Sequence, residues 1–196
     1  MLTKYSDIPH DTLKEYELLL NKWNSKINLV SESTLIDFEH RHIIDSIQIT
    51  QYIDNKKDKI IDLGSGAGLP GMVLALIGYE NVTLIESDIR KAAFLLQASR
   101  LIKNSPQPQI INKRIESLKD ISCDIVISRA FAELNKIFDY TRNFSIKKKY
   151  LLHKGENYQK EIEAASQCWL FSVTIHDSLT LPKAKILEIT DVKPKY

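Results

Sequence analysis

The chain changes its hydrophobic rhythm at residue 59. Before that point apolar residues recur at helical spacing. Leu13, Tyr16, Leu19, Leu20 and Trp23 share one face of a helix predicted over residues 11–24, with Asp11 as its cap after Pro9. A polar connection leads to Ser33, a second N-cap. Residues 34–52 are predicted helical in one or two pieces, with Ile43, Ile44 and Ile47 as the apolar stripe. From Lys59 short apolar runs alternate with amphipathic stretches. Strands are predicted at 59–63, 82–85, 109–112, 124–128, 150–153, 169–176 and 185–190. Helices are predicted at 70–77, 89–103 (capped by Ser87 or Asp88), 133–144 and 157–167.

Alternating strands and helices predict an α/β fold with a doubly wound, Rossmann-like, seven-stranded and mainly parallel sheet. The run D-I-V-I-S at 124–128 is apolar throughout, as a central parallel strand buried on both faces is. The last two strands have only D-S-L-T-L-P-K-A between them and are predicted to pair antiparallel. The expected organisation is an N-terminal helical layer over 1–58 and a main domain over 59–196, forming one globular unit. Ligands in such sheets bind at the carboxyl ends of the strands, where strand order reverses.

Bulk properties narrow the picture. A chain of 196 residues with 43% hydrophobic and 27% charged residues has enough apolar side chains for a full core. No apolar run approaches the roughly 18–20 residues of a membrane span, and the N-terminus lacks a secretory signal. Two cysteines, Cys123 and Cys168, are too few for a disulfide framework and lack metal-site spacing, and both are expected to be inert buried thiols. The expectation is a cytoplasmic, reduced, monomeric protein without a metal. The net charge of +2 neither demands nor excludes a nucleic-acid partner.

The chemistry concentrates after the first strand, in K-I-I-D-L-G-S-G-A-G-L-P-G. Gly64, Gly66, Gly68 and Gly71 are four of only six glycines in the chain. Glycine permits positive φ and removes the Cβ that would block a ligand. The helix that follows turns its free N–H groups toward whatever lies over the turn. Glu86 stands 20 residues beyond Gly66, where a carboxylate can accept from both hydroxyls of a ribose. Arg114, Ile115 and Glu116 follow the third strand; Ser128, Arg129 and Ala130 follow the fourth. G-A-G-L-P-G is formally a dinucleotide fingerprint, so a nicotinamide or flavin enzyme is a rival reading. Only about 68 residues follow the fourth strand, too few for a separate substrate domain. S-adenosylmethionine needs the same ribose-binding acid and close backbone approach, and Asp62 is a candidate partner for its ammonium group. A cofactor-binding module without catalysis is a third reading.

The motifs carry a further resemblance. D-L-G-S-G-A-G-L-P-G resembles the cofactor turn of the ribosomal RNA small subunit methyltransferase G family, also called glucose-inhibited division protein B. W-N-S-K-I-N-L-V-S (23–31) is similar to that family's W-N-x-x-x-N-L-T/V-S, and R-H-I-I-D-S (41–46) to its R-H-x-x-D-S. I-S-R-A-F-A-E-L (127–134) is similar to S-R-A-F/V-A-x-L, and H-K-G (153–155) contains its K-G. These matches run in order over about two-thirds of the chain. The resemblance implies a class I S-adenosylmethionine-dependent methyltransferase fold. It also implies a cytoplasmic enzyme that methylates N7 of one guanine in 16S ribosomal RNA, alone or within the small-subunit particle. Carried over by position, Gly64, Leu69, Ile115, Glu116 and Arg129 match residues that contact the cofactor. Asp62, Ser65, Gly66 and Glu86 complete the expected cofactor set.

Guanine N7 carries a lone pair and loses no proton on methylation, so no side-chain base is needed. This agrees with Ser128-Arg129-Ala130-Phe131 standing where enzymes that methylate exocyclic amines have an Asn/Asp-Pro-Pro-aromatic tetrad. His42 and Asp45, three apart on a predicted helix, are expected on the substrate side of the pocket or in a helix-packing bond. Arg129 is expected to meet cofactor and RNA, Lys154 to contact phosphate, and Phe131 to fill the core.

Overall fold

Strand β1 (Lys59–Leu63) lies inside a seven-stranded sheet, between β2 (Asn81–Ile85) and β4 (Ser122–Arg129). The computed structural model describes residues 10–103 and 105–196. The sheet continues through β3 (Gln109–Ile111) on one side. On the other it continues through β5 (Ser145–Lys154), β7 (Lys185–Pro194) and β6 (Trp169–Asp177), in the order β3-β2-β1-β4-β5-β7-β6. All neighbours pair parallel except β5–β7 and β6–β7, which are antiparallel. The expected C-terminal pair is therefore present, and β7 inserts between β5 and β6.

Period-two alternation explains why the central strands read as apolar throughout. Ile60, Ile125, Ile127 and Leu151 face one core, while Ile61, Leu63, Val126 and Leu152 face the other. The first face is covered by α4 (Gly71–Leu76) and α5 (Ile89–Ser99), and over them by the N-terminal helices. The second is covered by α6 (Leu134–Thr141) and α7 (Tyr158–Cys168). Asp88 caps α5, accepting from the N–H groups of Arg90 and Lys91, so of the two expected caps Asp88 fills the position. Cys123 is buried and Cys168 exposed, so the expectation of two buried thiols holds only for Cys123. Burial pushes the Cys123 thiol up to about 12. No helix among the described residues is long and apolar enough to cross a membrane.

The N-terminal layer departs most from its sequence pattern. Helix α1 (His10–Asn24) starts before Asp11, which sits in its first turn and is not its cap. Tyr16 and Leu20 are fully buried and share one core with Met72 and Phe94. The next helix, α2 (Glu32–Leu35), has Ser31 at the N-cap position, not Ser33. Residues 39–52 then run as a π-helical stretch (Glu39–Ile44), the short α3 (Asp45–Ile47) and a 3-10 stretch (Gln48–Tyr52). A π turn shifts side chains off the regular helical face and is often found at functional sites. Here it buries His42 and Asp45 along with Ile43 and Ile47, a polar pair that the apolar stripe did not foretell.

Candidate active site

Strand order reverses between β1 and β4, and the glycine turn lies at that point. Gly64, Gly66 and Gly68 take φ of +63°, +54° and +82°, the left-handed region that costs an L-residue about 1–2 kcal/mol. The turn is held from beneath. The Ser65 N–H donates to the Ile85 carbonyl at 3.1 Å, and the Ser65 hydroxyl to the Asp62 carbonyl at 3.0 Å. Tyr16 of α1 donates its hydroxyl to the Ala67 carbonyl at 2.5 Å. Burial pushes that phenol far above its usual range, so it remains a donor.

Asp62 does not face the open side of the turn. It is fully buried, and its Oδ2 accepts from the Gly71 N–H at 3.0 Å. A Cβ on Gly71 would lie 2.7 Å from that oxygen. Alternation along β1 sends this side chain under α4, so Asp62 anchors the turn and does not present itself as an ammonium partner. Burial raises its pKa to about 7, opposed by the Gly71 N–H, Ser65 and Arg129. Leu69 likewise packs in the core at 4% exposure. Ser65 is 3% exposed with its hydroxyl committed to Asp62.

Glu86 does stand beside the turn. Its Oε2 accepts from the Gly66 N–H at 2.9 Å and its Oε1 from the Asp88 N–H at 2.8 Å. Each carboxylate oxygen keeps a second lone pair for a hydroxyl. Next to it opens a cleft of about 90 Å³ lined by Gly64, Ile85, Ile115, Glu116, Phe131 and Tyr140, among others. The expected residues Ile115 and Glu116 therefore come together with Gly64, and Lys113 and Arg114 flank them. The positive-φ glycines and the carboxylate beside their N–H groups suit an adenosyl group, for which the adjoining cleft of about 90 Å³ would have to widen.

A larger cavity of about 670 Å³ lies beyond, lined by His42, Asp45, Ser128, Arg129, Phe131 and His153, among others. The Arg129 guanidinium holds three groups of the N-terminal layer. Nη1 donates to Asp45 Oδ2 at 2.8 Å and to the Arg41 carbonyl at 3.1 Å, and Nη2 lies 2.9 Å from His42 Nδ1. An arginine only donates, so His42 Nδ1 accepts and its Nε2–H donates to Thr34 Oγ1 at 2.9 Å. Thr34 in turn donates to the Ser31 carbonyl. Burial, then the Arg129 charge, lowers His42 to about 4. Asp45 Oδ1 accepts from Thr180 at 2.5 Å and from Gln48 at 2.7 Å. Burial pulls the Asp45 pKa up, but His153, Arg129 and the Thr180 hydroxyl outweigh it and the net shift is downward. His153 Nε2 donates to the Asp45 carbonyl at 2.8 Å, and burial lowers its pKa also.

His42, Asp45 and Arg129 thus form one cluster on the wall of the larger cavity; the sequence offered the first two as pocket residues or as a helix-packing pair and did not join them to Arg129. Lys154, expected at a phosphate, is 7% exposed, and its ammonium donates to the Ala132 carbonyl and to Glu161, both at 2.6 Å. Its charge is neutralised inside the fold. Phe131, expected in the core, is only partly buried and lines both the cleft and the cavity. Thr180, Gln48, Thr34 and Tyr16 were missed. The bonds of Thr180 and Tyr16 join segments far apart in sequence, and those of Thr34 and Gln48 depend on the irregular turns between 31 and 48; His153 lay in a matched motif but was not singled out.

The neutral histidines give a pH dependence. Between about 6.5 and about 4 the unfolded chain binds the His42 proton and the folded one does not, so this group's contribution to stability falls as pH falls. Asp62, raised in the fold, slopes the opposite way, so the observable is a difference. The parent's urea midpoint minus that of His42→Gln should therefore shrink as pH falls across that window. Parallel midpoint curves would mean that His42 does not carry the effect.

A family model described as rRNA small subunit methyltransferase G matches residues 9–190. The chain is 47% identical to the ribosomal RNA small subunit methyltransferase G of Rickettsia rickettsii (strain Sheila Smith) over 189 residues, covering 95% of this chain and 97% of that protein. It is 48% identical to that of Rickettsia prowazekii (strain Madrid E) over 182 residues, covering 93% and 94%. The fold is similar to magnesium protoporphyrin IX methyltransferase from Synechocystis PCC 6803 with bound SAM, at TM-score 0.59, 11% identity and coverage of 89% and 96%. It is also similar to a SAM-dependent methyltransferase from Aquifex aeolicus, at TM-score 0.57, 12% identity and coverage of 78% and 91%.

Proposed function

The chain belongs to the rRNA small subunit methyltransferase G family, and from that premise we propose that it transfers a methyl group from S-adenosylmethionine to N7 of one guanine in 16S ribosomal RNA. The observation that carries this reading is a pair of cavities that share Phe131 as a wall, one of them lined by Gly64 of the glycine turn. One is the small cleft beside Glu86, the entrance for an adenosyl group, and the other is a cavity of about 670 Å³ at the ends of β4 and β5 with room for a nucleotide. When bound, S-adenosylmethionine supplies an electrophilic methyl group on a sulfonium sulfur.

The protein's part is to hold N7 and the methyl group in line and to exclude water. N7 attacks with its own lone pair, so no side chain has to take a proton. The state of His42 agrees with this, since both its ring nitrogens are engaged and burial keeps it neutral. Gly64, Gly66, Glu86, Ile115 and Glu116 hold the cofactor; Arg129, with His42 and Asp45 behind it, forms the wall on the base side. The target base is flipped into the cavity, because N7 in an A-form helix faces a deep, narrow groove. The enzyme works in the cytoplasm as a monomer, on 16S rRNA or the small-subunit particle.

Mass-spectrometric mapping of 7-methylguanosine in 16S rRNA tests the reaction. A strain lacking this gene should lose one modified guanine, and an unchanged map rejects the substrate. Glu86→Ala tests the cofactor seat. Losing hydrogen bonds to a charged acceptor costs about 1.5–3 kcal/mol, so calorimetry should show S-adenosylmethionine binding weakened about tenfold. Unaltered affinity removes Glu86 from the ribose.

A further inference from the structure

Phe131 borders both cavities, and its ring sits where a side chain on Gly64 would be. A Cβ built on Gly64 would lie 2.1 Å from its Cδ2 and 2.7 Å from its Cε2. With the ring there, the cleft beside Glu86 has only about 90 Å³, against the roughly 300–1,000 Å³ of ligand pockets. On the ring's other side lies the cavity of about 670 Å³.

The backbone on either side of Phe131 is pinned. Arg129 is tied to Asp45 and His42, the Ala132 carbonyl accepts from Lys154, and the Leu134 N–H donates to Glu161 at 3.0 Å. Ala130 between the pins has φ +51°, a left-handed conformation uncommon outside glycine, in the residue just ahead of Phe131. Side-chain torsions therefore give the ring its freedom. Its aromatic neighbour is Tyr140, with ring centroids 5.9 Å apart.

We propose that Phe131 is a positioning residue that couples the two ligands. A cofactor entering the cleft displaces the ring from Gly64 into the larger cavity, where its face becomes a stacking wall for the target purine. The inference rests on the methyl-transfer reading and adds a binding order to it: a seated cofactor completes the base site. Coupling of this kind is reciprocal and typically about 5–150-fold.

The movement can be read directly. With 4-fluorophenylalanine at position 131, the fluorine resonance should shift when S-adenosylhomocysteine is added without nucleotide, and a resonance that stays in place overturns the proposal. Calorimetry then reads the coupling, with guanosine 5′-monophosphate as the base probe. The parent should bind it about tenfold more tightly when S-adenosylhomocysteine is present, and an affinity indifferent to S-adenosylhomocysteine overturns the proposal. Phe131→Ala should bind S-adenosylhomocysteine at least as tightly as the parent, because the cleft is open, yet lose the enhancement. Phe131→Leu, which keeps apolar volume but has no flat face, should lose it as well. Both affinities falling together in both variants would show mere packing and overturn the coupling. A parent protein that fails to bind S-adenosylhomocysteine at all sinks the methyl-donor reading, and the coupling with it.

Discussion

Arg129→Met should abolish methyl transfer and remove about 3–5 kcal/mol of stability, the usual cost of leaving one member of a buried ion pair alone. The side chains of Arg129 and Asp45 are 17% and 8% exposed, so little solvent is available to replace the lost partner. Asp45 would keep Thr180 and Gln48 as donors but no cation at 2.8 Å. The Arg41 carbonyl and His42 Nδ1 would lose their donor in the same step. A second substitution separates stability from chemistry. Replacing a whole buried pair by apolar groups is often close to neutral, so Arg129→Met combined with Asp45→Leu should regain much of the urea midpoint and none of the activity. A single variant that unfolds within about 1 kcal/mol of the parent would show that the cluster does not hold the N-terminal layer to β4.

Gly64→Ala should lower affinity for S-adenosylmethionine about 100-fold while leaving a folded protein. Its φ of +63° costs an alanine about 1–2 kcal/mol. The added methyl also meets the Phe131 ring at 2.1 Å. That ring can turn away, so the fold tolerates the methyl group. The cofactor cannot, because the methyl stands on the surface it has to approach. Overpacking of this kind costs about 1–3 kcal/mol, and each 1.4 kcal/mol is about tenfold in affinity. Pairing Gly64→Ala with Phe131→Ala should relieve only the clash with the ring, leaving the backbone cost in place, and should not restore affinity. Cofactor binding within about threefold of the parent would remove Gly64 from the contact surface.

The legible parts of the site were those set by short-range pattern. Four glycines in eight residues, an acid 20 residues on and apolar strands of period two located the turn, Glu86 and the sheet, because each is a local backbone requirement. Strand ends were less legible. The charged start of β5, S-I-K-K-K, joins the ladder through residues that show no apolar alternation, since backbone hydrogen bonding alone recruits them. The burial of Asp62 and Leu69 was not legible for a related reason. Both lie within a few residues of the ligand surface, and which way each side chain points depends on α4 packing beneath them.

By itself the sequence determined the α/β class, the parallel core, the antiparallel final strands and the position of the cofactor turn, because those follow from periodicity and glycine content along the chain. Only the tertiary structure decided which charges meet. Arg129 reaches back 84 residues to Asp45, and Asp45 is also held from Thr180, 135 residues on. Lys154 is paired with Glu161, and Phe131 is set between two cavities. These partners are chosen by burial in three dimensions, where each ionised or polar group must find the nearest complement that the packed chain brings within about 3 Å.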